Sequence, residues 1–309
     1  STQDTTNTSL KTTLIKIEKK KKQQKRIQKP TKKLWNSHWF RGVAAVFLFG
    51  FIASWFYNNH YATRNSSHIY NELINENKEG LVEQTNNSNM PQIITLSDGS
   101  SVLLQPNSKL SYPKIFVGNE RKVYLSGEGF FEISKNPDKP FFVFANEIVT
   151  QVVGTSFRIS AYDNQPNVEV LVRTGKVKVQ PNETVLKSNN DEIILLPNQA
   201  LRFVRQNLTF KKITDITKDE SLIQTTSNIE QLSFEFTDIP VTQIFKTIEQ
   251  AYFVNIDFPK EKLQDCHLTT ALNDQPLPEK LKIICKSLGN NTTYEMNGNQ
   301  IIITSDGCN

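Results

Sequence analysis

The sequence predicts a single-span membrane protein whose larger part is an all-β domain, either a sandwich or a short solenoid. A small α+β module of order β-α-β-β-α-β-β follows it. Three observations carry this reading. Residues 42–57, GVAAVFLFGFIASWFY, run for sixteen residues without a charge. From residue 91 to 205, alternating runs are broken by Gly, Pro and Asn about every 8–12 residues, the texture of short packed strands. From residue 232 onward, two stretches with apolar residues at helical spacing are interleaved with strand-like runs.

The basic head comes first in the chain. Residues 1–41 carry twelve Lys/Arg against Asp4 and Glu18, a net +10; with +5 overall, the rest of the 309 residues sums to −5. The chain opens on Ser1 rather than Met, which leaves room for residues upstream. As a helix, residues 42–57 would cover about 24 Å, a little under a hydrocarbon core of about 30 Å. Trp39 and Phe40 extend the run, Arg41 can snorkel, and Trp39, Trp55 and Tyr57 lie where aromatic belts belong. A buried core helix and a cleaved signal peptide are the alternatives. The second is disfavoured by the long charged region and by the lack of a small-x-small site after the run.

The flanks set the orientation. Lys29, Lys32, Lys33 and Arg41 close a dense basic stretch before the run, whereas Arg64 is the single Lys or Arg in the first fifteen residues after it. Lys and Arg beside a span remain cytoplasmic, so the N-terminus is expected inside and residues 58–309 outside, the periplasm in a Gram-negative cell. The expected location is therefore the inner membrane. The run KKKKQQKRIQKPTKK is read as topology-setting and lipid-attracting rather than as a direct nucleic-acid contact.

Residues 58–90 are polar and Asn-rich and read as a periplasmic stalk, with one helix near 69–78 stopped by Gly80. Residues 91–205 read as about ten strands, with a hairpin turn at Asp98-Gly99 and another turn at Pro106-Asn107. Residues 206–231 read as a linker and 232–309 as the α+β module. There Asp238 is expected to cap a helix with Pro240 in its first turn, and Val241, Ile244, Phe245 and Ile248 form its apolar face. A second helix presents Leu277, Leu281, Ile284, Cys285 and Leu288 and stops at Gly289. A hairpin around Asn297-Gly298 ends the module.

The chain has three cysteines, Cys266, Cys285 and Cys308, all in its last 44 residues. No pair has CxxC spacing, so neither a zinc site nor a disulfide scaffold is indicated. Cys285 lies on an apolar helix face and reads as buried and free. In an oxidising compartment a Cys266–Cys308 disulfide tying down the tail is favoured, with Cys266–Cys285 as the alternative. No nucleophile elbow, P-loop, HExxH or EF-hand loop is present, and the four histidines are scattered. No cofactor, no metal and no conventional enzyme activity are expected.

The blocks LSDGSSVLLQPNSKLSYP, RKVYLSGEGFFEISKNPDKPFFVFA, VVGTSFRISAY, VEVLVRTGKVKV and LLPNQ, between about residues 92 and 203, occur in the order and spacing of the FecR family, which the chain resembles. LLPNQ has Asn198 where the family often has glycine, and Asn tolerates the same left-handed turn. Residues 233–304 are similar to the short signalling domain of TonB-dependent receptors and secretins. The resemblance implies a transmembrane anti-sigma factor. Its periplasmic part would meet the signalling domain of an outer-membrane TonB-dependent transporter, and its cytoplasmic segment an extracytoplasmic-function sigma factor, controlling nutrient-uptake genes. The alternative is a membrane-anchored periplasmic binding or scaffold protein without a transcriptional role.

VVGTSF matches the family's Gly-Thr block, at which some members cleave themselves. The resemblance thus marks Gly154-Thr155 as a candidate scission site with Thr155 as nucleophile. The residues alone favour sheet punctuation, with Gly154 at a bulge or bend and Thr155 an ordinary strand residue.

Overall fold

The computed structural model describes residues 70–72, 74, 80–183, 192–225, 227–289 and 291–308. The basic head, the apolar run at 42–57 and most of the stalk, with Lys29, Lys32, Lys33 and Arg41, lie outside the described residues. Among the described residues no helix is long and apolar enough to cross a membrane.

Among the described residues, thirteen strands form the first domain. They begin with β1 (Leu81–Asn86), β2 (Gln92–Thr95), β3 (Ser101–Leu104), β4 (Ser108–Pro113) and β5 (Arg121–Glu132). Next come β6 (Phe141–Ala145), β7 (Ile148–Val152), β8 (Ser156–Ala161) and β9 (Asn167–Thr174). The last are β10 (Val177–Pro181), β11 (Ile193–Leu195), β12 (Ala200–Val204) and β13 (Thr209–Ile213).

The twelve-residue β5 belongs to two sheets. Its first half pairs with β4 and β6, its second half with β3 and β8. The change of sheet falls at Gly127, whose φ of +96° suits glycine. A Cβ there would lie 2.3 Å from Ser108 Oγ and 2.8 Å from Ser108 Cα, so β4 closes over a position with no side chain. One sheet runs β1-β4-β5-β6-β7-β10-β11 and the other β2-β3-β5-β8-β9-β12-β13. Every described pairing in the domain is antiparallel except β5–β6, which is parallel. One core is lined from both sheets, with Leu110, Phe141 and Val179 meeting Leu104, Phe157 and Phe203. Of the two predicted architectures, this is the sandwich.

Two boundaries differ from the sequence reading. β1 lies within the stretch read as stalk, because all six of its residues pair with β4. The helical residues 70–72 and 74 belong to the domain as well: Tyr70 is buried, and its hydroxyl lies 2.8 Å from Ser111 Oγ. β13 lies within the stretch read as linker and pairs with β12. The remaining linker holds a 3₁₀ turn at Ile216–Lys218 and two short helices, α1 (Glu220–Thr225) and α2 (Asn228–Gln231). The expected turns form where Gly99 (φ +83°), Asn107 (+58°) and Asn198 (+65°) take left-handed backbones.

The C-terminal module runs β14 (Glu235–Pro240), α3 (Val241–Tyr252), β15 (Asn255–Asp257), α4 (Lys260–Leu263), β16 (His267–Ala271), α5 (Leu277–Leu288), β17 (Thr293–Asn297) and β18 (Gln300–Thr304). This is the predicted order with one added turn of helix, α4. The strands make two small sheets, β14-β16 and β15-β18-β17. Val241, Ile244, Phe245 and Ile248 of α3 and Leu277, Leu281, Ile284 and Leu288 of α5 are wholly buried in one cluster. Asp238 is not the cap of α3. A bulge between Phe236 and Ile239 keeps it in β14 at φ +53°, where its N–H donates to Thr269 Oγ1. Pro240 takes the N-cap position with no side-chain bond, and Val241 N–H donates instead to the Cys266 carbonyl at 2.9 Å.

Candidate functional site

Gly154 and Thr155 sit at the corner where the chain leaves β7 in one sheet and enters β8 in the other. A Cβ on Gly154 would lie 2.6 Å from Lys135 Cα, which explains glycine here. Gly175 (φ +76°) closes the other side, since a Cβ there would meet Thr155 Cγ2 at 2.5 Å and Gly154 O at 3.0 Å. Both sides of the corner are pinned: Asn136 N–H donates to Val153 O, Ile133 N–H to Thr155 O, and Ser156 N–H to Thr174 Oγ1. The Thr155 hydroxyl is buried and, among the described residues, has no hydrogen-bond partner, titratable or otherwise. A buried hydroxyl left without a partner is unusual enough to call for an explanation.

Cys266 and Cys308 are joined by a disulfide, with Cα atoms 5.9 Å apart. Cys285 is free and buried, and burial pushes its thiol up to about 11. It is therefore an inert core residue rather than a reactive one.

One buried charged region among the described residues was not singled out from the sequence. It lies where the module covers the outer face of the second sheet. Ile93, Leu103 and Phe130 from that face share one apolar cluster with α3, α5 and the module's strands. At its centre Lys280 Nζ lies 2.9 Å from Glu132 Oε1, with side chains 0% and 2% exposed. Tyr252 donates to both oxygens of Glu132, at 2.8 and 2.9 Å, and Ser101 Oγ donates to Oε2 at 3.0 Å. The same Ser101 Oγ accepts the Leu277 N–H at the start of α5. Lys280 also donates to the Gln275 carbonyl and lies 4.8 Å from the centroid of the Phe234 ring. Burial holds its pKa below the ordinary lysine value, with Glu132 opposing that shift. Burial drives the Tyr252 phenol well above its usual range, and the Glu132 charge adds to it.

Three further contacts fix the junction. Arg173 donates to the carbonyls of Ile229 and Leu232 and lies over the Phe234 ring. Arg158 donates to Thr225 O at 2.9 Å, with Glu230 Oε1 3.2 Å from its Nε and Glu128 Oε1 3.6 Å from its Nη1. Burial raises the Glu128 pKa, with Arg158 opposing. Asn299, from the β17–β18 turn, accepts from Ile93 N–H and donates to Pro91 O. β domain, linker and module are thus joined by buried polar bonds as well as apolar surface. A signal for this existed. Lys280 falls between Leu277 and Ile284 on the buried stripe of α5, and Glu132 shares a β5 face with Phe130.

Residues 84–178 match the model of the FecR protein family, and residues 233–303 match that of the FecR C-terminal domain, together more than half of the chain. The chain belongs to the FecR family. Two crystal structures of a proposed anti-sigma factor from Parabacteroides distasonis ATCC 8503, at 2.50 and 1.65 Å, are similar to it. They are 26% and 25% identical, cover 73% and 72% of this chain and 99% of their own, and superpose with a TM-score of 0.41 each. None of the curated proteins matches the chain. In this FecR-family chain the buried junction joins the two matched regions, since Glu132 belongs to the first and both Tyr252 and Lys280 to the second.

Proposed function

We propose that this FecR-family protein is a transmembrane anti-sigma regulator. In this reading residues 42–57 span the inner membrane, residues 1–41 engage an extracytoplasmic-function sigma factor, and the described domains lie in the periplasm. An outer-membrane TonB-dependent transporter, once loaded, docks through its signalling domain. Transcription of uptake genes then changes. No enzyme activity on an external substrate is proposed.

The observation that carries the reading is that both FecR regions occur in one chain and are bolted together by Glu132, Lys280 and Tyr252. A partner bound to the module therefore acts on a body that includes the β domain and, through buried Tyr70, the chain leading back to the span. The signal is a difference in partner affinity between two states of that body.

Deleting residues 1–41 while keeping the apolar run is expected to change transcripts of the uptake genes that the sigma factor serves. Unchanged transcripts, with the truncated chain still in the membrane, would leave a binding or scaffold protein instead.

The unpartnered Thr155 hydroxyl favours one further event, scission of the chain at this corner. Oγ1 attacks the Gly154 carbonyl carbon, the Gly154–Thr155 C–N bond breaks, and the nitrogen takes up the hydroxyl proton to become an amine. Water then hydrolyses the resulting ester to a Gly154 carboxylate and restores the Thr155 hydroxyl. The fragments would stay together, because β8 and β10 of the second fragment pair with β5 and β7 of the first. With tags at both ends, immunoblots of native membranes are expected to show two fragments that Thr155→Ala abolishes. A single full-length band in both chains would make the corner a purely structural device.

A further inference from the structure

Val117 and Ile115 are the most exposed large hydrophobic residues among the described residues, at 84% and 70%. They lie two positions apart in the loop between β4 and β5. The loop is not slack: the Phe116 ring between them packs edge-on against Phe141, with centroids 5.7 Å apart, and Lys139 Nζ donates to the Phe116 carbonyl at 2.8 Å. One apolar side chain packs against the core, half-buried, and its two neighbours are exposed. Scattered exposed apolar residues are ordinary on protein surfaces. A braced pair at a loop tip is not.

The position of the tip identifies its occupant. Leu81 pairs with Pro113, so the loop begins where the chain enters the β domain, and Gly80 lines the same concavity as Pro113, Phe116 and Lys122. Tyr70, buried against Ser111, ties the preceding chain to that end of β4. Twelve residues separate Tyr70 from Tyr57 at the end of the apolar run. Even fully extended they reach about 45 Å, and less with any helix. The stretch that leads from the apolar run therefore joins the domain at the end that carries the tip. Lys114 and Lys139 bring positive charge to its base, while the exposed Lys122 and Glu120 pair with each other at 2.7 Å.

We propose that the β4–β5 loop is a membrane-contact tip. Ile115 and Val117 enter the headgroup–acyl boundary of the outer leaflet, and the Lys114 and Lys139 ammonium groups face anionic lipid phosphates. This rests on the reading of residues 42–57 as a span. It goes further, because it makes the bilayer a second surface that fixes how the β domain is presented. A partner that pulls on the module would have to lift the tip or tilt it.

The test uses the full chain in nanodiscs of phosphatidylethanolamine and phosphatidylglycerol, labelled with an environment-sensitive fluorophore at Ile115→Cys, Val117→Cys, Met90→Cys or Leu48→Cys. The native cysteines do not compete, since Cys285 is buried and the other two are bonded. Met90 is exposed near the opposite end of β1, where Asn86 donates to its carbonyl, and serves as the water-facing reference. Leu48 lies in the middle of the apolar run and serves as the lipid-facing reference. Emission from positions 115 and 117 is expected to shift to the blue relative to position 90 and to be quenched by spin-labelled lipid, along with position 48. Quenching at 48 with positions 115 and 117 as wet as 90 would overturn the tip but leave the span. No quenching at 48 would overturn the span and the tip with it. A blue shift at 117 that spin-labelled lipid does not quench would mean that a second protein surface, not lipid, covers the loop, and would also overturn the proposal.

Discussion

Lys280→Met is expected to destabilise the joined domains by about 3–5 kcal/mol, because it leaves Glu132 buried with no cation beside it. The methionine nearly fills the volume, so the loss measures charge and hydrogen bonding rather than a cavity. The remaining donors, Tyr252 and Ser101, keep the carboxylate partly satisfied and place the effect toward the lower end of that range. The double variant Glu132→Gln/Lys280→Met removes both charges and is expected to recover much of the loss, since an uncharged pair of similar size escapes the desolvation penalty. Hydrogen–deuterium exchange is the suitable readout: the three tryptophans, Trp35, Trp39 and Trp55, all lie far upstream in the sequence and do not probe the junction. Faster exchange should appear in α5 and the second half of β5 in the single variant and recede in the double. A single variant within about 1 kcal/mol of the parent would show that the pair contributes little and that the apolar cluster alone joins the domains.

Cys308→Ser is the second large effect. The bond to Cys266 closes a loop across a sequence separation of 42, and chain-entropy arguments give such a loop about 4 kcal/mol. The module is small, its two sheets have two and three strands, and a core of that size gains much from a covalent tie. The variant also leaves Cys266 as a buried lone thiol. Because the module is joined to the β domain, about 2–4 °C per kcal/mol applies, and the melting temperature followed by circular dichroism should fall by about 8–16 °C. Adding a reductant to the parent should produce the same fall and should not shift the variant further. Equal melting of parent and variant under oxidising conditions would show that the β18 tail is held by its hydrogen bonds alone.

Much of the described fold was legible in the sequence, for identifiable reasons. The helices α3 and α5 carry apolar residues at a spacing that only a helix places on one face. The turns at Gly99, Asn107 and Asn198 use residues that accept a left-handed backbone. Other features depend on partners distant in sequence. Leu81–Asn86 sits in an Asn-rich stretch with weak alternation, and it becomes a strand because β4 offers it six paired positions. Asp238 has the composition of a helix cap, yet the bulge in β14 places it two residues too early. The junction was the main omission. Nothing in the residues next to Lys280 and Glu132 marks them as a pair, and only their register with buried neighbours shows that they are buried. The apolar run of β3, Val102-Leu103-Leu104, was a further clue: a strand buried on both faces implies that something covers the outside of its sheet. That cover is the module.

In the proposed function residues 1–41 hold a sigma factor while the described domains receive the signal. The most direct measurement is affinity recovery of the full chain from native membranes, followed by mass spectrometry, beside a chain lacking residues 1–41. An extracytoplasmic-function sigma factor is expected with the full chain and its loss with the truncated one. No sigma factor with either chain, or equal recovery with both, would contradict it.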